Sequence, residues 1–239
     1  MSKRLGHVLT AAGFLLLCFC LLLTIVEWIG TDAGLYHRLQ IKNGVDEAIG
    51  ISDADLVRLD GALAEYLKGD ESAMDVTAEV YGETQPAFNE REVSHMVDVL
   101  FLFRLLRTVR AATLPFGVVL LVAGLWLGRA DCAWRWGALY VCGLLLLLIP
   151  LGLFALWAVR DFDAAFTAFH EALFTNDLWL LDPRTDLMIR MLPEGFFMGM
   201  AARIALWSAA CLATAGVLFG IAGRIIAGRL GKHSALAAR

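Results

Sequence analysis

The run Val8-Leu9-Thr10-Ala11-Ala12-Gly13-Phe14-Leu15-Leu16-Leu17-Cys18-Phe19-Cys20-Leu21-Leu22-Leu23-Thr24-Ile25-Val26 carries no charge before Glu27 and stays apolar to Ile29. It is longer than a signal-peptide core, which holds about 7 to 15 residues. It matches the roughly 20 residues that about 30 Å of hydrocarbon requires of a helix. Leu15-Leu16-Leu17 ahead of Cys18 lacks the small residue of a lipoprotein cleavage site, so an uncleaved anchor helix is expected. Three further apolar runs give expected spans at 112–128, 136–159 and 196–223, beside the first at 8–29. The whole chain agrees with this reading. Its 239 residues are 59% hydrophobic and only 18% charged, against about a quarter charged in soluble domains, and the mean hydropathy is +0.67. A water-soluble globule is excluded, and the length leaves no room for a large transporter bundle. Trp28, Trp126, Trp134, Trp136 and Trp157 stand near span ends, where interfacial aromatics collect.

Orientation follows from the short flanks. Residues 1–7, 129–135 and 224–239 hold Lys3, Arg4, Arg129, Arg135, Arg224, Arg229, Lys232 and Arg239 against one acid, Asp131, a charge of +7. Excess Lys and Arg marks the cytoplasmic side. Residues 31–99 carry fifteen acids and five bases, and residues 160–194 seven and three. The segments 30–111 and 160–195 are therefore expected outside, with both termini cytoplasmic. Arg104, Arg107 and Arg110 run against this rule. Their i, i+3, i+6 spacing places them on one helix face, able to meet lipid phosphates or pair with the acidic segments; snorkelling to headgroups is the simpler reading. Arg203 lies inside the fourth apolar run, which makes it a functional candidate unless it snorkels. The cysteines, Cys18, Cys20, Cys132, Cys142 and Cys211, all avoid the outer segments and show no Cys-x-x-Cys metal spacing.

The first outer segment reads as mainly helical. Ser52 precedes Leu56, Leu59, Leu63 and Leu67, an apolar stripe at helical spacing that Gly69 stops. Val76, Ala78 and Val80 alternate with polar residues, which suggests a strand or hairpin turning near Gly82 and Pro86. Asn89 with Glu92 three residues on forms a capping box for the next helix. In the second outer segment, Asp182-Pro183 and Leu192-Pro193 are helix-start signatures, and the density of Phe, Trp and Leu suits a segment lying along the membrane surface. The expected fold is thus an all-α membrane protein in a single membrane domain. Four transmembrane helices carry a small, mainly helical extracytoplasmic cap and a surface-lying second segment.

Of the five histidines, His7 and His233 fall in the tails and His37 just past the first span, whereas His95 and His170 each sit on an outer helix near a span. Spacing alone favours a pair of satisfied interfacial histidines; the same pair also suits general acid and base work near neutral pH. His170-Glu171 begins like a zinc-protease helix, but Phe174 replaces the second histidine. No Gly-x-Ser-x-Gly elbow and no phosphate loop occur. His95, Asp98 and His170 offer only a mixed, scattered metal set.

Glu92, His95, Met96, Asp98 and Val99 form a Glu-x-x-His-Met-x-Asp-Val pattern, and Phe169, His170, Asn176, Trp179, Asp182, Pro183, Asp186, Leu187, Pro193 and Glu194 mark the second segment. In these motifs the chain resembles a family of small four-span bacterial integral membrane proteins, the lipoprotein intramolecular transacylase family. Two departures are Leu100 in place of a lysine, for which Arg104 would substitute, and Met188 in place of an isoleucine. The resemblance implies an acyltransferase of the bacterial cell membrane, active at the outer leaflet. It would move the sn-2 acyl chain of a diacylglyceryl-cysteine to the cysteine α-amine, leaving a lyso-form lipoprotein. Its implied partners are diacylglyceryl-modified lipoproteins and membrane phospholipid, not nucleic acid, with no cofactor and no metal. His95 and His170 are the implied catalytic pair. Asp98 would orient His95 as triad carboxylates do, Asn176 would donate to the ester carbonyl and Trp179 would anchor the segment at the interface. Glu92, Met96 and Arg104 would support the site; Asp182 and Asp186 would cap helices or touch substrate, and Arg190 would bind a carbonyl or, the preferred reading, pair with Asp186 at i, i+4. Two other readings use the same patch: a non-enzymatic scaffold or lipoprotein-binding protein, and a metal-dependent membrane hydrolase.

Overall fold

The computed structural model describes residues 2–80 and 82–237; Arg239 lies outside them, as does the side chain of His233. Four helices are long and apolar enough to cross a membrane: α1 (Ser2–Gly30), α5 (Glu90–Trp134), α6 (Trp136–Arg160) and α9 (Glu194–Ala237). The protein is an all-α membrane protein with one short hairpin. Helix α5 is far longer than a bilayer needs: its stretch up to Gly128 rises roughly 58 Å, about twice the hydrocarbon thickness. About half of that length therefore lies beyond a single span of ordinary thickness. The helix breaks at Arg129, the one described non-glycine residue with positive φ (50°), where the backbone turns before Trp136.

The chain divides into two compact units. The first comprises residues 1–24, 107–157 and 206–239. Its centre is Phe14, wholly buried, with ring centroids of Trp136, Tyr140 and Phe219 at 5.7, 5.4 and 5.0 Å. Trp136 is accordingly a core residue and not an interfacial one, because it begins α6 facing Phe14; Trp126 and Trp134 are exposed. The Tyr140 hydroxyl donates to the Leu212 carbonyl at 2.6 Å. Close approach of α1 and α5 depends on small residues, as helix pairs in membranes commonly do: a Cβ on Gly124 would stand 2.2 Å from Thr10 Oγ1.

The second unit comprises residues 25–106 and 158–205. Asp32 caps α2 (Ala33–Lys42), and α3 (Val45–Ile49) follows. Helix α4 (Asp53–Lys68) has Ser52 as its N-cap, accepting from Asp55 N–H, and Gly69 as its C-cap at φ 119°. The leucine stripe faces inward: Leu56, Leu59, Leu63 and Leu67 are buried, each contributing about 1.5–3 kcal/mol. After a 3-10 turn (Glu71–Met74), strands β1 (Thr77–Val80) and β2 (Glu83–Pro86) pair antiparallel, Ala78 opposite Gln85. The turn lies at Gly82 (φ 84°), and Pro86 ends β2 rather than sitting in the turn. The first turns of α5, then α7 (Phe162–Leu173), α8 (Leu187–Met191) and the start of α9 complete the unit. Asp182-Pro183 does not start a helix. It opens a single turn, with Thr185 and Asp186 N–H bonded to the Asp182 carbonyl, and helix begins only after Asp186, whose side chain is taken by other partners.

Candidate active site

The capping box anticipated at Asn89 sets the start of α5. Asn89 Oδ1 accepts from Glu92 N–H at 3.1 Å, and Glu92 Oε2 accepts from Asn89 N–H at 2.7 Å. The other oxygen of this buried carboxylate accepts from Met188 N–H at 2.6 Å, tying α5 to the first turn of α8. Burial raises the Glu92 pKa, against which the two backbone donors act. Asn89 Nδ2 donates to Asp186 Oδ1 at 2.8 Å, and Asp186 Oδ2 accepts from Asp182 N–H at 2.7 Å. Burial works against the charge on Asp186. The hydrogen bonds from Asp182, Thr185 and Asn89 still hold its pKa below the usual range. Arg91 reaches the Asp177 carbonyl and carboxylate. The beginning of α5 thus holds the irregular segment between α7 and α8 at several points.

This arrangement brings His95 and His170 together. Their rings stand 6.1 Å apart at 37°, and each is only 8% exposed, open enough for a ligand's edge but largely shut from water. His170, in the last turn of α7, donates from Nδ1 to the Phe166 carbonyl four residues back, at 2.7 Å. That bond leaves Nε2 with the lone pair of the neutral ring. Trp179 stacks on the imidazole at 4.9 Å and 29°, and Phe166 and Phe174 lie at 3.9 and 5.6 Å. Phe174 also meets His95 edge-on at 5.2 Å. Burial lowers the His170 pKa, opposed by the Phe166 bond. Burial, then the neighbouring His170, pushes His95 down to about 4, with Asp98 acting the other way. His95 Nδ1 is buried and has no hydrogen-bond partner among the described residues.

The remaining expected site residues are placed as follows. Met96 and Leu100 are buried, Leu100 filling an apolar site where the resemblance led to expect a lysine. Asp98 does not hydrogen-bond the bare Nδ1 of His95; its Oδ2 accepts from Asn176 Nδ2 at 2.8 Å. Trp179 is not an interfacial anchor: it is 9% exposed, and its N–H donates to the Asn176 carbonyl at 3.0 Å. Asp182 is engaged by Arg184, which holds its pKa down at about 2. Arg190 Nε reaches the backbone carbonyl of Asp186 at 3.4 Å, not its carboxylate, whose oxygens Asn89, Thr185 and Asp182 already occupy. Arg104 forms an exposed ion pair with Glu71, and Arg203 is exposed. Among the described residues no three His, Cys, Asp or Glu side chains stand where they could hold one metal ion. Sequence reasoning missed Phe166, Phe174 and Arg91. The i, i+4 spacing of Phe166 and His170 on α7, continued by Phe174 just past its last residue, was a readable signal that these rings lie together.

Comparison with known proteins agrees with this architecture. The family model described as "Lipoprotein intramolecular transacylase Lit" matches residues 11–197, more than half of the chain. The chain belongs to the lipoprotein intramolecular transacylase family. A solved structure of the membrane integral lipoprotein intramolecular transacylase Lit from Bacillus cereus has the same fold, with a TM-score of 0.62 at 22% identity, over 99% of this chain and 97% of that one. A variant of the Bacillus cereus protein in which one histidine is replaced by alanine gives 0.64 at 21% identity, over 95% and 94%. No curated protein is significantly similar in sequence. Both transacylase motif segments, around His95 and His170, fall within the matched range.

Proposed function

We propose that this member of the family transfers the sn-2 acyl chain of a diacylglyceryl-modified lipoprotein to the α-amine of the same cysteine. The observation that carries the reading is the meeting of His95 and His170, from two distant motif segments, in one buried aromatic pocket. The amine nitrogen attacks the ester carbonyl carbon and gives up a proton. The tetrahedral intermediate collapses, the C–O bond to glycerol breaks, and the sn-2 alkoxide takes a proton. Amide and free hydroxyl result, with no water consumed. Because ester and amine belong to one molecule, holding them in contact supplies much of the acceleration. The nucleophile is the substrate's own, so a serine or cysteine is not required.

The two environments support different tasks for the two rings, as carboxylate and imidazole pairs with separated pKa values do elsewhere. His170 has the free Nε2, and both the Phe166 carbonyl and the C-terminal end of α7 favour its cationic form. It is the base toward the amine. His95, held neutral at about 4 and without a chain partner on Nδ1, is the hydrogen-bond donor to the developing oxyanion or alkoxide. The flanking charge supports cytoplasmic termini and a site at the outer leaflet of the bacterial cell membrane.

Mass spectrometry of N-terminal lipopeptides, from cells producing the wild type, His95→Ala and His170→Ala, tests this reading. Wild type yields the N-acyl lyso-form, and each alanine variant leaves the diacyl free-amine form. A free-amine form from wild-type protein present in the membrane overturns it. Alanine variants that still give the lyso-form remove the histidine pair from the chemistry; a wild type that gives none while binding lipoprotein points to a scaffold, and chelator-sensitive turnover to a metal-dependent hydrolase.

A further inference from the structure

Asp98 and Asn176 sit 78 residues apart and join through one hydrogen bond of 2.8 Å. Each is a natural candidate for direct chemistry, Asp98 as the carboxylate behind His95 and Asn176 as a donor to the ester carbonyl. The bonding pattern points elsewhere. His95 Nδ1, where an orienting carboxylate would bind, is bare, while Asp98 Oδ2 is given to Asn176. Every polar group that Asn176 offers on this side is in use: Nδ2 donates to Asp98, Oδ1 accepts from Leu178 N–H at 3.1 Å, and the backbone carbonyl accepts from Trp179 Nε1 at 3.0 Å. The last bond engages the sole polar atom of the indole and so sets the rotation of its ring, which stacks on His170 at 4.9 Å and 29°. From Asp98 on α5 the chain of contacts runs through the Asn176 side chain and backbone to the ring that covers the second histidine.

We propose that the Asp98–Asn176 hydrogen bond is a clasp that holds the Trp179 indole over the His170 imidazole, which makes Asp98 and Asn176 positioning residues for the histidine pair. With the clasp closed, water is kept from one flank of His170, so the ring stays neutral and Nε2 stays available to substrate. Among the described residues the rings of Phe166, Phe169, Phe174, Trp179 and His95 and the Phe166 carbonyl lie against His170, so the indole cover is one control on its hydration. Charge on Asp98 is incidental to the clasp; an acceptor oxygen is what matters.

The proposal rests on the transacylase reading for its activity readout, and a labelling readout stands apart from it. Full-length protein in detergent is treated with diethyl pyrocarbonate, and carbethoxylation of the His170 peptide is followed by mass spectrometry from pH 5.5 to 8. Loss of an ordinary hydrogen bond, about 0.5–1.5 kcal/mol, is worth up to about one power of ten in an equilibrium. Asn176→Ala, Asn176→Asp and Trp179→Ala are therefore expected to speed His170 labelling about tenfold and to move its pH midpoint up toward the free-imidazole value. Asp98→Asn keeps an acceptor oxygen, so it is expected to change labelling less than Asn176→Asp does. In Asn176→Asp two carboxylates face each other; the double variant Asp98→Asn with Asn176→Asp rebuilds the bond with its donor reversed and returns labelling toward wild type. The acidic limb of the transacylation pH profile follows the same order. His170 labelling unmoved by Asn176→Ala and Trp179→Ala overturns the clasp. So does an Asp98→Asn variant as damaging as Asn176→Asp with no recovery in the double variant, since that is how a catalytic charge behaves. Labelling in the expected order without any lyso-form from wild type supports the clasp and overturns the transacylase reading alone.

Discussion

Asp60 is wholly buried on α4, and among the described residues neither carboxyl oxygen has a hydrogen-bond partner. Gln40 on α2 is equally buried with both amide atoms bare, and His37 Nδ1 lies 3.8 Å from the carboxylate while His37 Nε2 meets the exposed Asp53 at 3.2 Å. Burial raises the Asp60 pKa from 3.8 to about 7, with the Gln40 side chain acting in the opposite sense. A group whose folded pKa lies above its unfolded one contributes stability that is fully present below the unfolded value. That stability is lost as pH rises through the folded value. Here the window is 3.8 to about 7. At about 1.4 kcal/mol per pKa unit the loss across it is about 4 kcal/mol, roughly 10 °C in melting temperature for a chain of this size. Asp60→Asn has nearly the same shape and no proton to lose. Thermal unfolding of wild type and Asp60→Asn in one detergent, in parallel from pH 4.5 to 8.5, gives a difference curve in which His95 and the other groups remote from Asp60 cancel. The variant is expected to gain on wild type from pH 4.5 to about 7, to level off above it, and to be more stable by several kcal/mol at pH 8. Two parallel curves, with a constant difference across the range, refute the argument, because they require an Asp60 that is ionised in the folded protein at low pH.

Two further outcomes follow from other contacts. Glu92→Ala leaves the Asn89 and Met188 N–H groups without their acceptor; at about 1.5–3 kcal/mol for each bond to a charged group, it is expected to cost about 3–6 kcal/mol in the same melting assay. Glu92→Gln keeps one acceptor and is expected to cost about half as much; equal losses for the two variants contradict the clamp. Gly124→Ala forces a Cβ to within 2.2 Å of Thr10 Oγ1 and is expected to lower stability by about 1–3 kcal/mol, as overpacking does. Gly220→Ala meets nothing within 4 Å, so a loss there equal to that at Gly124 refutes the close-approach account.

Much of this protein is written locally. The four apolar runs, the Leu56 to Leu67 stripe with its Ser52 and Gly69 caps, the Asn89–Glu92 capping box and the hairpin before Pro86 each follow from neighbours within a few turns. Periodicity and capping chemistry report such neighbours directly. The motif residues around His95 and His170 were also legible, and they led to the right family. What no local pattern carried was the set of partners. Trp136 looked interfacial because it stands at a span end, and only its contact with Phe14 shows it to be core. Asp98 seemed destined for His95, one turn away, yet it bonds Asn176; Trp179 seemed an anchor, yet it covers His170. Asp60 looked like one more acid in an acidic segment, and its burial appears only when α2 packs on α4. A helix's own sequence states which of its faces is apolar. Which side chain of a distant segment comes to lie against that face is decided by packing and by competition for hydrogen-bond partners, and these exist only in the folded chain.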